Sequence, residues 1–271
     1  MTVKINLQSK VISVNPEAGE VCLEGGTIVK GDLIVGADGL HSRTVAAVLP
    51  SGRRIVDAGL NCFRFLVPME KVKANPLAKA YVEGTLLNCL AFYPSTKTSE
   101  ITTSESPWLN AGDNEKLLSH FKDSQEVVRE ICCMAEDLKL YKLTTRDLLP
   151  TFVKGKLALL GDAAHPMLPH RAQSTGQAIE DAGALGAVFG EGTQPEQVGE
   201  LLDLYNKARY EHAIAAALLS RYYLGTNKDQ TQADFETFLP GVSVPDNEYA
   251  FLWCSDPIQE VERLRKGMQE E

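Results

Sequence analysis

Twice in this chain an apolar run ends in glycine with aspartate close behind it. The first is Leu33-Ile34-Val35-Gly36-Ala37-Asp38-Gly39, and the second is Leu157-Ala158-Leu159-Leu160-Gly161-Asp162-Ala163-Ala164-His165-Pro166. A short unbroken apolar run that stops at glycine reads as a strand buried on both faces, the habit of a parallel sheet. In open α/β sheets, ligands bind beyond the carboxyl ends of such strands. Glycine there lets backbone approach a ligand, and a short carboxylate can accept hydrogen bonds from sugar or sugar-alcohol hydroxyls. One such turn alone is more often only a turn. Two of them, each with a long specific continuation, constrain the fold to the α/β class.

The surrounding pattern supplies the other layers. Val3 to Leu7 and Lys10 to Val14 alternate as strands, and Val21 to Val29 reads as a hairpin turning on Gly25-Gly26. From Cys62 to about Ile101, short apolar segments broken by Pro68, Pro76, Gly84 and Pro94 predict an antiparallel sheet, for example over Leu86 to Tyr93. From Asn114 the spacing becomes helical, with Asp123 and Glu126 as a capping box for the second helix. An Ala-rich helix is expected over Gln177 to Phe189, its amino terminus near Ser174, and Pro195 opens another that runs to about Leu219. The tail is polar until Tyr249 to Trp253, which is expected to dock on the body.

A net charge of −9 argues against a nucleic-acid or anionic-membrane surface, because phosphate neutralisation needs a basic excess. The six cysteines include no C-x-x-C and no His/Cys spacing suited to zinc, so no metal site is expected. They read as reduced thiols of a cytoplasmic protein, with Cys132 and Cys133 on a buried helix face. No apolar run is long enough to span a bilayer.

The continuations of the two turns carry a family resemblance. Gly36-Ala37-Asp38-Gly39-Leu40-His41-Ser42 resembles the second FAD fingerprint of the class A, single-component FAD-dependent monooxygenases. Leu157 to Ala182 resembles their third, through Gly161 to Pro169 and Gln177-Ala178-Ile179-Glu180-Asp181-Ala182. The salicylate-hydroxylase-like branch is the most similar. Weaker matches at Phe63 to Pro68 and at Tyr205, Arg209, Ser220 and Arg221 extend the likeness over most of residues 3 to 255.

The resemblance implies a Rossmann-like FAD-binding domain of the glutathione-reductase type, an antiparallel substrate-binding sheet and C-terminal helices. Residues 1–55 and 151–225 would form the FAD domain, 56–150 the substrate domain, and 226–271 a tail. Asp162 would hold a ribityl hydroxyl of FAD, with Gly161 in the same turn. The Pro166 region and the helix start at Ser174, Thr175, Gly176 and Gln177 would lie along the pyrimidine and phosphate side of the flavin, and Asp38 with Gly39 near the pyrophosphate. NAD(P)H would be the co-substrate, and an aromatic or polyketide-like small molecule would receive an oxygen atom from O2. No catalytic base is assigned, since His41, His165 and His170 read equally well as structural histidines. Arg64 reads either as a cavity residue or as a sheet-surface arginine.

Departures from the family pattern matter as much. Family members carry a G-x-G-x-x-G strand–helix unit for the ADP half of FAD, and these 271 residues contain none. The FAD domain is therefore expected to be incomplete here. The chain would belong to a longer product, be a non-catalytic remnant, or work with a partner chain supplying the N-terminal half. Ser174 stands where glycine is usual, Val45 and His212 where arginine is common, and the stretch from Pro76 to Gly84 is short.

Overall fold

The structure, a computed structural model, describes residues 3–50, 54–81, 84–95, 111–222 and 227–270. In chain order the strands are β1 (Val11–Asn15), β2 (Glu20–Leu23), β3 (Ile28–Lys30), β4 (Ile34–Gly36), β5 (Ile55–Pro68), β6 (Leu86–Pro94), β7 (Glu136–Arg146), β8 (Val153–Lys154) and β9 (Leu157–Leu159). The helices are α1 (Val45–Val48), α2 (Met69–Ala74), α3 (Asn114–His120), α4 (Glu126–Cys133), α5 (Ser174–Val188), α6 (Val198–Leu219), α7 (Lys228–Phe238), α8 (Glu248–Trp253) and α9 (Pro257–Glu270). Two compact units result, one of residues 1–56 with 145–271 and one of residues 57–144.

In the first unit, β4 and β9 pair in parallel, Ile34 against Leu157 through Gly36 against Leu159, and β8 adds antiparallel to β9. This pairing sets the two glycine-aspartate turns side by side at the same end of the sheet. Leu157, Ala158 and Leu159 are all fully buried, as their unbroken apolar run requires. β4 differs from the sequence expectation. Ile34 and Gly36 are buried but Val35 is 44% exposed, because only one face of this strand is covered. β4 is also the edge strand, with a pairing partner on one side only among the described residues.

A separate antiparallel meander, β1-β2-β3, turns at Gly25 (φ +96°) and Gly26 (φ +86°), conformations that glycine adopts without strain. The strand expected at Val3 to Leu7 does not form. Its alternation finds no sheet edge to join, and Val3, Ile5 and Leu7 stay exposed.

Helix α5 packs against α6 and α9. The apolar stretch Ala213 to Leu219 of α6 is wholly buried, and the Tyr205 hydroxyl donates to the Leu159 carbonyl at 3.0 Å, tying α6 to the central strand. Gln194 and Gln197 box the turn at Pro195 that starts α6. Leu252 is buried in the same core and Phe251 stacks on His212 (4.4 Å), so the segment Tyr249 to Trp253 docks as expected. The tail around it is more helical than its polar composition suggested, with α7 and α9 on either side.

The second unit is a sheet of order β6-β5-β7, its β5–β6 pair antiparallel, with α2, α3 and α4. β5 and β6 pair from Leu60 against Pro94 to Pro68 against Leu86, which places Phe63, Phe65 and Val67 in one buried row. The far end of the sheet expected near Ile101 lies outside the described residues. β7, an 11-residue strand, was not anticipated from the sequence. The Asp123–Glu126 box is not made, because α4 begins at Glu126 with Gln125 in the capping position. Cys132 is buried but Cys133 is exposed, since neighbours on a helix point about 100° apart. Burial pushes the thiol of Cys62 up to about 12 and that of Cys89 to about 11, and all six cysteines are free. No helix among the described residues is long and apolar enough to cross a membrane.

Candidate functional site

The first turn is built to hold itself. At Gly36 a β-carbon would collide with the Thr44 hydroxyl, so only glycine fits where β4 ends. Asp38 is an exposed residue whose carboxylate turns inward. Its Oδ2 accepts from the Arg43 and Thr44 N–H groups at 2.7 and 3.2 Å, and its Oδ1 from the Thr44 hydroxyl at 2.7 Å. Ser42 Oγ accepts from the Val45 N–H at 3.0 Å, at the start of α1. Burial works to raise the Asp38 pKa, but the donors of Thr44, Ser42 and Arg43 outweigh it, and the carboxyl stays below its ordinary value. Gly39 (φ +76°) has open space where a side chain would be. Asp38 therefore shapes this loop, and Gly39 exposes its backbone.

The second turn is held from outside. Gly161 adopts φ +54°, and its N–H donates to Asp181 Oδ2 at 2.9 Å. The next carboxylate, Asp162, is partly exposed and accepts the Ser174 hydroxyl at 2.6 Å. Ser174, Thr175 and Gly176 open α5, where the N–H groups of a first helical turn have no helical acceptor. Thr175 is exposed and Gly176 half-buried, whereas Pro166 is buried and its carbonyl accepts from Thr145 Oγ1 at 3.3 Å. Asp162 and the amino end of α5 thus face one another through Ser174. A carboxylate beside free N–H groups suits a ligand that carries both hydroxyls and an electron-rich or anionic edge.

Behind Gly161 lies a buried ionic cluster. Asp181, wholly buried, meets His165 Nε2 at 2.6 Å through Oδ2 and Arg209 Nε at 2.9 Å through Oδ1. Arg209 also donates to Glu180 at 2.8 Å and to Gln177 Oε1 at 2.6 Å. Burial would raise the Asp181 pKa, yet His165 and Arg209 hold it below the ordinary value. His212 is pushed down to about 4 by burial and by the neighbouring Arg209 charge, so it is neutral at pH 7.

These contacts bear on several candidates. His165 is a buried partner of Asp181 and His170 Nδ1 sits 3.0 Å from the Ser220 carbonyl, so both have structural contacts, while His41 is exposed on its loop. Arg64, in the second unit, is exposed on the sheet and donates to Asn88 at 3.2 Å, the sheet-surface alternative. Sequence reasoning missed Arg146. It is 1% exposed at the end of β7, and its guanidinium reaches the Ala163 carbonyl at 2.5 Å, Ala164 at 3.3 Å and Leu40 at 3.5 Å. Nothing in the run Leu143-Thr144-Thr145-Arg146 marks its arginine as buried.

The residues at the second turn fit the ribityl and flavin half of FAD, through Asp162, the left-handed Gly161 and the open first turn of α5. The ADP half has no phosphate loop within these residues, since they contain no G-x-G-x-x-G.

Comparison with known proteins agrees. The family model for the FAD binding domain matches residues 13–220. The FAD-dependent monooxygenase phomE of Diaporthe leptostromiformis is 31% identical over 277 residues, covering 91% of this chain and 71% of the relative. Hispidin-3-hydroxylase of Neonothopanus nambi is 27% identical, covering 81% of this chain and 60% of its own length. The chain thus spans about 60 to 70% of the length of these relatives. A salicylate hydroxylase substrate complex superposes with a TM-score of 0.75 at 22% identity, over 95% of this chain and 70% of that one, which shows a shared fold. The two turns, the sheet that aligns them and these matches together establish that the chain belongs to the class A FAD-dependent monooxygenase family.

Proposed function

We propose that this chain provides the flavin-side half of an FAD site and serves hydroxylation of an aromatic or polyketide-like small molecule with NAD(P)H and O2 in the cytoplasm. The observation that carries the reading is the Asp162 carboxylate held at 2.6 Å by Ser174 at the amino end of α5. Asp162 would take a ribityl hydroxyl, and Gly161 and Pro166 would shape the turn around it. The first-turn N–H groups at Ser174, Thr175 and Gly176 would face the electron-rich edge of the ring. Asp38 would keep its loop folded so that Gly39 meets the pyrophosphate by backbone. When bound, FAD supplies the redox chemistry, accepting two electrons from NAD(P)H and passing one oxygen atom of O2 to substrate while the other leaves as water. The chain's own contribution is to bind, orient and keep water away. Hispidin-3-hydroxylase and 3-hydroxybenzoate 6-hydroxylase 1, by their names, act on small aromatic substrates, and that supports the substrate class.

The ADP half would come from polypeptide beyond these residues, in the same chain or another. The open edge of β4 and the exposed Val3, Ile5, Leu7, Ile28, Val29 and Val35 favour this, since uncovered apolar strands seek partners. The same observations support the alternative of a non-catalytic remnant or partner subunit. Gel filtration of the purified 271-residue chain with FAD discriminates between these. A flavin absorption band that co-elutes, with substrate-stimulated NAD(P)H oxidation, supports the enzyme reading. A folded but colourless chain that stays colourless with excess FAD overturns it.

A further inference from the structure

Among the described residues of the first unit, Arg146 is the fully buried arginine that meets no carboxylate. The other, Arg209, is paired with Asp181 and Glu180. Arg146 instead spends its guanidinium on carbonyls from both glycine-aspartate turns. Nη2 donates to Ala163 and Ala164 at 2.5 and 3.3 Å, behind Asp162, and Nη1 to Leu40 at 3.5 Å, behind Asp38. Its Nε is buried with no hydrogen-bond partner. Burying a cation among neutral acceptors is costly, and a well-packed apolar side chain would often be as stable. Burial indeed lowers the Arg146 pKa, and only the nearby charges of Asp38 and Asp162 oppose this. General stability is a poor account of such a residue. What the guanidinium does that no apolar group can is bridge two loops more than 100 residues apart in sequence, with a planar fork of fixed geometry.

We propose that Arg146 is a positioning residue that locks the Asp38 loop and the Asp162 turn to each other and so fixes the spacing of the two carboxylate-bearing turns. The relevance of that spacing to a cofactor rests on the FAD reading above; the coupling itself does not. β4 and β9 align the strands, but both turns leave the sheet, and β-pairing ends at Gly36 and Leu159. Beyond that point the Arg146 side chain hydrogen-bonds to both. Arg146 is the last residue of β7.

The test compares amide hydrogen exchange in the 271-residue chain without flavin, in wild type, Arg146→Met and Arg146→Lys, with Arg209→Met as a control. Arg146→Met is expected to speed exchange about tenfold or more at both Arg43–Thr44 and Ala163–His165, while α6 is unchanged. Arg146→Lys keeps the charge but has one nitrogen, so it should preserve Ala163–His165 and release only the Asp38 loop. Arg209→Met should disturb the Gly161 side alone. The proposal is overturned if neither Arg146 variant changes exchange at Arg43–Thr44, or if Arg209→Met changes both turns alike. Should Arg146→Met not fold, the Arg146→Lys pattern decides. A flavin titration of the same variants separates the two ideas. If wild type binds FAD, Arg146→Met should weaken it at least tenfold with Asp38 and Asp162 still present. If wild type binds none, the FAD reading fails while the exchange pattern still judges the lock.

Discussion

The Gly161 amide donates to Asp181 at 2.9 Å, so the turn that carries Asp162 is pinned by a carboxylate 20 residues further along the chain. Asp181 is in turn gripped by His165 and Arg209 in a site without water access. The glycine-aspartate turn is thus the outer end of a buried ionic cluster, and its geometry depends on groups that never reach the surface.

Replacing Asp181 with Asn removes the fully buried countercharge of Arg209 and leaves it only the partly buried Glu180. Loss of about 3–5 kcal/mol of unfolding free energy is expected, read by urea denaturation. The pH dependence has a definite sign. The folded pKa of Asp181 is depressed, so its contribution is fully present above the ordinary carboxyl value and is lost as pH falls through the folded value. In Asp181→Asn this acid-limb loss should shrink.

His212 titrates in a different window. Its folded value of about 4 lies below the ordinary 6.5, so as pH falls the unfolded chain takes up the proton first. Stability should therefore be full above about pH 6.5 and decline between there and pH 4, by on the order of 2–3 kcal/mol. His212→Leu, which keeps an apolar contact with Phe251, should flatten urea midpoints across that interval.

Gly161→Ala places a β-carbon at φ +54° and 3.1 Å from Ala178 Cβ. A cost of about 1–2 kcal/mol is expected from the left-handed backbone alone, visible as a lowered Tm. Gly39→Ala shares the positive φ but meets open space, so the difference between the two variants measures the Ala178 contact.

Asp162→Ala removes a partly exposed carboxylate whose hydrogen bond within the chain comes from Ser174. The fold should survive, with little change in the urea midpoint. Flavin affinity should fall about 10- to 100-fold, the worth of one hydrogen bond to a charged group. Fluorescence titration reads it, and an unchanged affinity would remove Asp162 from the site.

Local readings failed where tertiary context outvoted pattern. Val3 to Leu7 alternates as well as any strand in the chain, yet no sheet edge is there to receive it. β7 went unread because its polar Lys139, Lys142 and Thr144 blur the alternation, and pairing beside β5 decided it. The capping box at Asp123 was overruled when Gln125 became the start of α4.

The sequence by itself determined the family, the two glycine-aspartate turns and the helix that opens at Ser174, because each rests on contiguous residues with narrow conformational needs. Glycine is demanded where φ is positive or a β-carbon would clash, and an unbroken apolar run must be buried. Only the tertiary structure decided which charges lie inside. Arg146, Asp181, His165 and Arg209 are indistinguishable in sequence from surface residues, and burial became tolerable only when folding brought carbonyls and countercharges to meet them.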